Sequence, residues 1–282
     1  MCCTLGRTDT LTRLLDSLAA QTERRFELIV VDQNPPGVLE PLLAGYADRV
    51  SLRRLRSAPG LSRARNVGLA ACRAPLVAFP DDDCWWPPDL AARLVALFES
   101  HPHIDLITGR TQDAAGADSL GLFLAADAPI ARANVWRIGN SNGLFVRTAL
   151  ARRISGFDER LGVGAPTPFK SGEETDFVLR ALAHGARGLY RRDLIVHHDQ
   201  APQSGADGLE RAQGYARGFG RVLRLHGFGA ADVALRVARP AARAALAALG
   251  GDGATARYKA RWARGVMQGF FARDPLQRWP DQ

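Results

Sequence analysis

Three adjacent carboxylates, Asp81, Asp82 and Asp83, stand in the segment Phe79-Pro-Asp-Asp-Asp-Cys-Trp-Trp-Pro-Pro88. Like charges this close repel, so the cluster calls for a compensating cation. A hard divalent ion, Mg2+ or Mn2+, suits carboxylate oxygens and would also bridge the two phosphates of a nucleoside diphosphate. The competing reading is a solvated turn in which one Asp caps a helix opened by Pro87 and Pro88. Upstream, Gly60-Leu-Ser-Arg-Ala-Arg-Asn-Val-Gly68 has the character of a helix start. There Arg63 and Arg65 could meet phosphate or ribose oxygens, or Ser62 is simply a cap and the arginines a wet face. Downstream, Ser171-Gly-Glu-Glu-Thr-Asp176 gathers acids at a helix start. Ser171 and Glu174 have the spacing of a capping box, while Glu173 or Glu174 could be the general base that removes a proton from a hydroxyl. His197 and His198 close the set, and one imidazole could complete the metal's coordination.

These groups need a frame that brings them together. Phe26-Glu-Leu-Ile-Val-Val-Asp32 is an apolar run too short for a helix, preceded by helical spacing at Leu11, Leu14, Leu15 and Leu18. The rhythm continues with helices predicted at 37–48, 61–73 and 88–99 and strands at 50–55, 75–79 and 104–109. Strands alternating with helices predict an α/β fold with a mostly parallel central sheet covered on both faces. Ligands of such sheets lie beyond the carboxyl ends of the strands, where Asp32 and Asp81 to Asp83 fall. Residues 111–145 read as loops and a strand on an acceptor side. A helix is predicted at 173–184 and a strand at 189–196, then a linker at 201–208 and helices at 209–226, 230–249 and 255–271.

Of the net charge of +8 over 282 residues, residues 205–282 carry 13 Lys+Arg against 6 Asp+Glu, so almost all the excess lies in the tail. The chain therefore divides, in this reading, into a near-neutral body at 1–204 and a basic helical extension at 205–282. Arg257, Arg261, Arg264 and Gln268 share one helical face, and Arg236, Arg239 and Arg243 repeat the pattern across Pro240. That arrangement suits contact with an anionic membrane through 230–271, or a helical lid with solvated arginines. No window is long and apolar enough to span a bilayer, the start lacks the features of a secretory signal, and the cysteines show no metal-ligand spacing. The expectation is a cytoplasmic protein, peripheral at the inner face of the plasma membrane, with no nucleic-acid partner.

Taken in order, these segments resemble the family 2 glycosyltransferases with the GT-A nucleotide-sugar transferase fold, over roughly residues 3–200. Phe26 to Asp32 resembles that family's second strand with its base-contacting acid. Gly60 to Gly68 resembles its Ser-x-Ala-Arg-Asn-x-Gly helix, and Phe79 to Trp85 its metal-binding Asp-x-Asp segment. Gly156-Phe-Asp-Glu159 and Gly172-Glu-Glu-Thr-Asp176 resemble its Gly-Phe-Asp-Glu and Glu-Asp elements. The resemblance implies that Thr4 and Asp32 contact the nucleoside, with Arg63, Arg65, Asn66 and Asp82 beside the nucleotide. Asp81 and Asp83 would hold ribose and metal, with His198 as a further ligand, and Glu174, or Glu173, would serve as base. It implies an inverting displacement from a nucleotide-diphosphate sugar onto a saccharide or lipid-linked hydroxyl, in surface polysaccharide or glycolipid synthesis. The family's first strand carries several apolar residues before the threonine, where this chain has Cys2 and Cys3, so a truncated first strand and reduced stability are expected. The rivals are a degenerate nucleotide-sugar-binding module, against which the joint presence of Asp81, Asp83 and Glu174 argues, and a sugar-nucleotide pyrophosphorylase. The latter needs a glycine-rich phosphate loop, where Leu5-Gly-Arg-Thr-Asp offers one glycine.

Overall fold

The computed structural model describes residues 1–199 and 206–273. The chain forms two compact units, Met1–Glu159 with Glu173–Ala201, and Arg160–Gly172 with Pro202–Gln282, interleaved in sequence.

The first unit opens with β1 (Cys2–Thr4), α1 (Thr8–Ala19), β2 (Leu28–Asp32), a short α2 (Glu40–Ala44), β3 (Leu52–Arg56) and α3 (Leu61–Ala71). Leu11, Leu14, Leu15 and Leu18 of α1 are all buried, the stripe that a helix lying against a sheet requires. All five residues of β2 are buried, as expected of a strand covered on both faces. β1, β2 and β3 form a parallel sheet with β2 in the middle, in a register that sets Thr4 beside Asp32 and Asp32 beside Arg56. The edge strand β3 reads Leu-Arg-Arg-Leu-Arg and is partly exposed, which lets its arginines reach across to Asp32.

A second sheet follows from β4 (Leu76–Ala78), β5 (Cys84–Trp85), α4 (Leu90–Ser100), β6 (Leu106–Gln112), β7 (Ala128–Pro129), β8 (Leu144–Arg147), α5 (Thr148–Arg153), α6 (Glu173–Ala183) and β9 (Gly188–His198). Its order is β4-β8-β6-β9-β5, with β7 also on β9. β6 and β9 run parallel and the remaining pairs antiparallel, so the parallel character is concentrated in the first sheet. A parallel bridge between Cys3 and Asp81 links the end of β1 to the carboxylate segment. Leucines of α1 and α4 close the core with Val30, Ile107, Phe145, Leu194 and Val196. The helix after Pro87 and Pro88 starts at Leu90 with Asp89 as its N-cap, so none of the three adjacent carboxylates caps it.

In the second unit, α7 (Ala206–Leu225), α8 (Ala230–Leu249) and α9 (Gly253–Phe271) match the expected helices to within three residues. Residues 201–205 of the expected linker lie outside the described residues, and Pro240 sits inside α8 without ending it. α7 and α9 approach backbone to backbone: a Cβ at Gly220 would collide with the Val266 carbonyl, and one at Gly269 with that of Arg217. Gln268 accepts from Gln213 at 3.0 Å and from Arg217 at 2.9 Å, and Arg261 donates to Gln213 at 3.2 Å. Two residues of the face expected to point outward on α9 therefore bind α7 instead. The segment 160–172 belongs to the same unit. Lys170 N–H donates to the Gly214 carbonyl at 3.2 Å and the Ser171 hydroxyl to that of Tyr215 at 2.8 Å.

Because backbone atoms fill the space where a Cβ would stand, Gly269→Ala should cost about 1–3 kcal/mol through overpacking. Gly229→Ser, where nothing lies within 4 Å, should stay within about 0.5 kcal/mol. Thermal melts of the two variants beside the parent chain check the contrast.

Candidate functional site

The candidate site is built from the carboxyl ends of β1 and β2, the first turns of α3 and α6, the segment Asp81–Asp83 and the end of β9. Its central group is Arg65, 2 % exposed. One guanidinium nitrogen donates to Asp81 Oδ1 at 3.0 Å and the other to Glu173 Oε1 at 3.0 Å. α3 presents Arg65 inward because Gly60, at φ 135°, turns the chain into the helix and its N–H is held by Gln33 Oε1 at 2.8 Å. Only glycine adopts that angle readily. The cation lies 5.2 Å from the Phe157 ring centroid, within a packed group of Phe79, Phe157 and Phe177. Expected at a phosphate, Arg65 instead joins two carboxylates 92 residues apart in sequence. Arg63 remains near the surface, 3.2 Å from Glu159 Oε2. Asn66 ties the helix to the Gly-Phe-Asp-Glu segment: its amide donates to the Phe157 carbonyl at 2.9 Å and accepts the Phe157 N–H at 2.8 Å. Gly156 is required there, since its φ is +66° and a Cβ would collide with the Asn66 side-chain oxygen Oδ1.

The three carboxylates diverge. Asp81 turns to Arg65, and its backbone N–H donates to Asn142 Oδ1 at 2.6 Å. Burial raises its pKa, with the Arg65 charge opposing. Asp82 is buried and pushed up to about 6 by desolvation, although Arg7 lies 3.2 Å away. Asp83 meets Arg7 through Oδ2 and His198 Nε2 through Oδ1, the latter at 3.0 Å. Burial would raise Asp83, but the His198 hydrogen bond and the charges of His198 and Arg7 hold it below the usual carboxylate range. Strand alternation places the two histidines on opposite faces of β9. His198 faces Asp83, while His197 stacks on Trp85 with centroids 5.1 Å apart. Among the described residues no three His, Cys, Asp or Glu side chains converge as a metal-holding group. The expected set of Asp81, Asp83 and His198 is thus reduced to Asp83 and His198, because Arg65 draws Asp81 away. One carboxylate still suits Mg2+ or Mn2+, which take few protein ligands when phosphates and water supply the rest, and the imidazole beside it is the softer donor.

Asp32 is fully buried and holds four donors: Asn34 N–H at 2.8 Å, Asn34 Nδ2 at 2.9 Å, Arg54 Nε at 2.9 Å and Arg56 Nη1 at 3.2 Å. Instead of presenting an open carboxylate, it orients Asn34 and two arginines. Thr4 is buried beside it. At α6 the capping box does not form, since the helix starts at Glu173 and Ser171 bonds to Tyr215. Glu174 is thereby left half-buried in the first turn, and desolvation, then the neighbouring Glu173 charge, raises its pKa well above the usual carboxylate range.

Reading the chain missed Arg7, Asn34, Arg54, Arg56 and Asn142. For Asn142 a signal existed in Asn140-Ser-Asn-Gly143. Asn140 caps the turn by accepting Asn142 N–H at 3.0 Å, and a Cβ at Gly143 would stand 2.8 Å from the Gly109 carbonyl. These close approaches seat the turn against β6, with the Asn142 amide on Asp81.

Removing the central cation while leaving its partners buried should be severe. Arg65→Leu is expected to cost about 3–5 kcal/mol. Asp81 already has a raised pKa, so stability falls as pH rises through it; without Arg65 that pKa rises further and the deficit grows with pH. Urea melts at pH 5 and pH 8 should show the larger loss at pH 8.

The sequence model of glycosyl transferase family 2 matches residues 2–153. The chain is 28% identical over 211 residues to a pre-mycofactocin glycosyltransferase of Mycobacterium tuberculosis, covering 68% of this chain and 40% of that protein. It is 27% identical over 161 residues to an uncharacterized glycosyltransferase of Nostoc sp., covering 52% and 50%. The match thus spans half or less of these relatives' length. Among solved structures, a mannosyltransferase from Pyrobaculum calidifontis in complex with GDP-Man and Mn2+ superposes with a TM-score of 0.67 at 18% identity, covering 96% of this chain and 86% of that one. S. aureus TarS superposes with a TM-score of 0.60 at 19% identity, covering 95% and 53%. With its family sequence pattern and its mixed α/β sheets in the GT-A arrangement, the chain belongs to glycosyl transferase family 2.

Proposed function

We propose that the chain transfers a sugar, with inversion, from a nucleoside diphosphate sugar to a hydroxyl of a saccharide or lipid-linked acceptor in surface polysaccharide or glycolipid synthesis. The observation that carries this is the Arg65 bridge, which fixes Asp81 of the carboxylate segment and Glu173 of the helix start about one guanidinium apart. It thereby joins a diphosphate-side group to a proton acceptor, Glu174, with a raised pKa. The Pyrobaculum calidifontis mannosyltransferase solved with GDP-Man and Mn2+, and S. aureus TarS solved with UDP-GlcNAc, support a nucleotide-sugar donor.

In this reading Asn34, Arg54 and Arg56, oriented by Asp32, receive the nucleoside with Thr4, and Arg63 lies within reach of anionic oxygens. Asp83 and His198 would hold a divalent cation, which when bound neutralises charge on the leaving diphosphate. Asp82 stays beside Thr4 and Arg7. Glu174 accepts the proton of the acceptor hydroxyl as its oxygen bonds to the anomeric carbon, while the bond to the diphosphate oxygen breaks. Glu173, engaged by Arg65, lies beside Glu174 and is the second cause, after burial, of the raised pKa that suits Glu174 to accept a proton.

We assign the peripheral membrane contact to α8. A period of about 100° per residue sets Leu235, Ala242, Leu246 and Leu249 within about 60° of one another, opposite the buried Val233 and Ala244. The leucines are 49 %, 69 % and 87 % exposed, and Arg239 and Arg243 flank them, the pattern of a helix lying in an anionic interface. No helix among the described residues is long and apolar enough to cross a membrane.

Calorimetric titration of nucleoside diphosphates should find one that binds with Mn2+ and weakens at least about tenfold in Asp83→Ala. Glu174→Gln should lower kcat by about 100-fold or more at unchanged nucleotide affinity. Because Glu174 must be deprotonated to accept the proton, the acid limb of the rate profile should lie above the ordinary glutamate range. Binding without any turnover over a panel of sugar donors and acceptors would favour the degenerate module instead. On vesicles, co-sedimentation should require anionic phospholipid and be lost in Leu246→Glu/Leu249→Glu; equal recovery in the supernatant with and without such vesicles would remove the membrane assignment.

A further inference from the structure

Arg7 has no role in the activity as set out above, yet it lies on the carboxylates. A single nitrogen, Nη1, contacts Asp82 Oδ1 at 3.2 Å and also Asp83 Oδ2. The other oxygen of Asp83 lies 3.0 Å from His198 Nε2. One oxygen of the carboxylate best suited to a divalent cation is thus held by Arg7, and the other faces the imidazole. Arg65 cannot substitute, since it is buried between Asp81 and Glu173.

The anchoring of Arg7 also matters. Gly6, at φ 73°, donates its N–H to Asn34 Oδ1 at 2.5 Å, so the backbone just before Arg7 is fixed to the residue that Asp32 orients. The Arg7 side chain, by contrast, is 53 % exposed, against 8 % for Asp82 and 22 % for Asp83. A long cation on a fixed root can exchange partners by rotation alone, without backbone movement.

A divalent ion arriving between Asp83 and His198 neutralises the carboxylate that holds this guanidinium and repels it at close range. The ion brings with it a diphosphate, the nearest new anion available to a displaced arginine and one matched to its fork of donors. We propose that Arg7 is the counter-ion of Asp82 and Asp83 in the free protein and moves onto the donor's diphosphate when a divalent cation takes its place on Asp83. The proposal rests on the metal and nucleotide reading above. It makes cation and nucleotide binding mutually reinforcing, because each removes the competitor or supplies the partner of the other.

The test uses the full chain with Mn2+ as probe, free ion being counted by electron paramagnetic resonance without nucleotide. Calorimetry with UDP and GDP at saturating Mn2+ supplies the second readout. Arg7→Gln should bind Mn2+ about fivefold more tightly than the parent, and the preferred nucleoside diphosphate about tenfold more weakly. Arg7→Lys should fall between the two on both scales. Arg7 is exposed, and an unchanged circular dichroism spectrum establishes that the variants are folded. Equal or weaker Mn2+ binding by Arg7→Gln, or unaltered diphosphate affinity, would overturn the proposal while leaving the metal reading intact. Absence of Mn2+ binding in the parent even with nucleotide would instead overturn the metal reading and this proposal together.

Discussion

One buried guanidinium sets the geometry of the first unit. Arg65 needs compensating charge because it has almost no access to water, and it receives that charge from Asp81 and Glu173, which lie 92 residues apart in sequence. A buried cation with a carboxylate on each side is stable only if both stay in place. Losing either leaves charge unpaired in a low-dielectric interior. The turn before Asp81, the first turn of α3 and the start of α6 are therefore held to a common distance by electrostatics as well as by packing.

The surroundings make that arrangement permissible. Phe157, packed against Phe79 and Phe177, offers a ring face toward the cation. Asn66, one residue beyond Arg65, fixes Phe157 through two hydrogen bonds, so helix, ring and charge are placed by adjacent side chains. On the far side of Asp81, the Asn142 amide holds the backbone N–H. The Asp81–Asp83 segment is thus restrained at its first residue through backbone and side chain, whereas its third meets the side chains of Arg7 and His198. That gradient separates the structural carboxylate from those able to change partners.

Much of this was legible from the chain, and the remainder failed for identifiable reasons. β2, α1, α3, α4, α6 and the three terminal helices follow from apolar spacing, because each buries a face that spacing reveals. The order of the segments around Asp32, Arg65, Asp81 and Glu173 pointed to the family. What spacing could not give was direction. Arg65 sits 108 residues from Glu173, and nothing local distinguishes an arginine aimed at a ligand from one aimed inward. Ser171 and Glu174 satisfied a local rule for a helix cap, but the helix begins later and the serine bonds elsewhere. The antiparallel partners β5 and β7 are two residues each, too short for any periodicity to register. Arg7 was passed over because its segment was weighed for glycines, whereas its charge was the informative property.

The interleaving of the two units bears on how the tail can be studied. Residues 160–172 pack with α7 through Lys170 and Ser171, and the chain then passes directly into Glu173 and Glu174. A truncation near residue 205 would strip that segment of its hydrogen-bonding partners at the threshold of the helix bearing the two glutamates. Loss of activity in such a deletion would arise from a loosened helix start whether or not the tail touches a membrane. Outward-facing point changes on α8 keep those partners intact, and they are the means by which attachment and chemistry can be told apart.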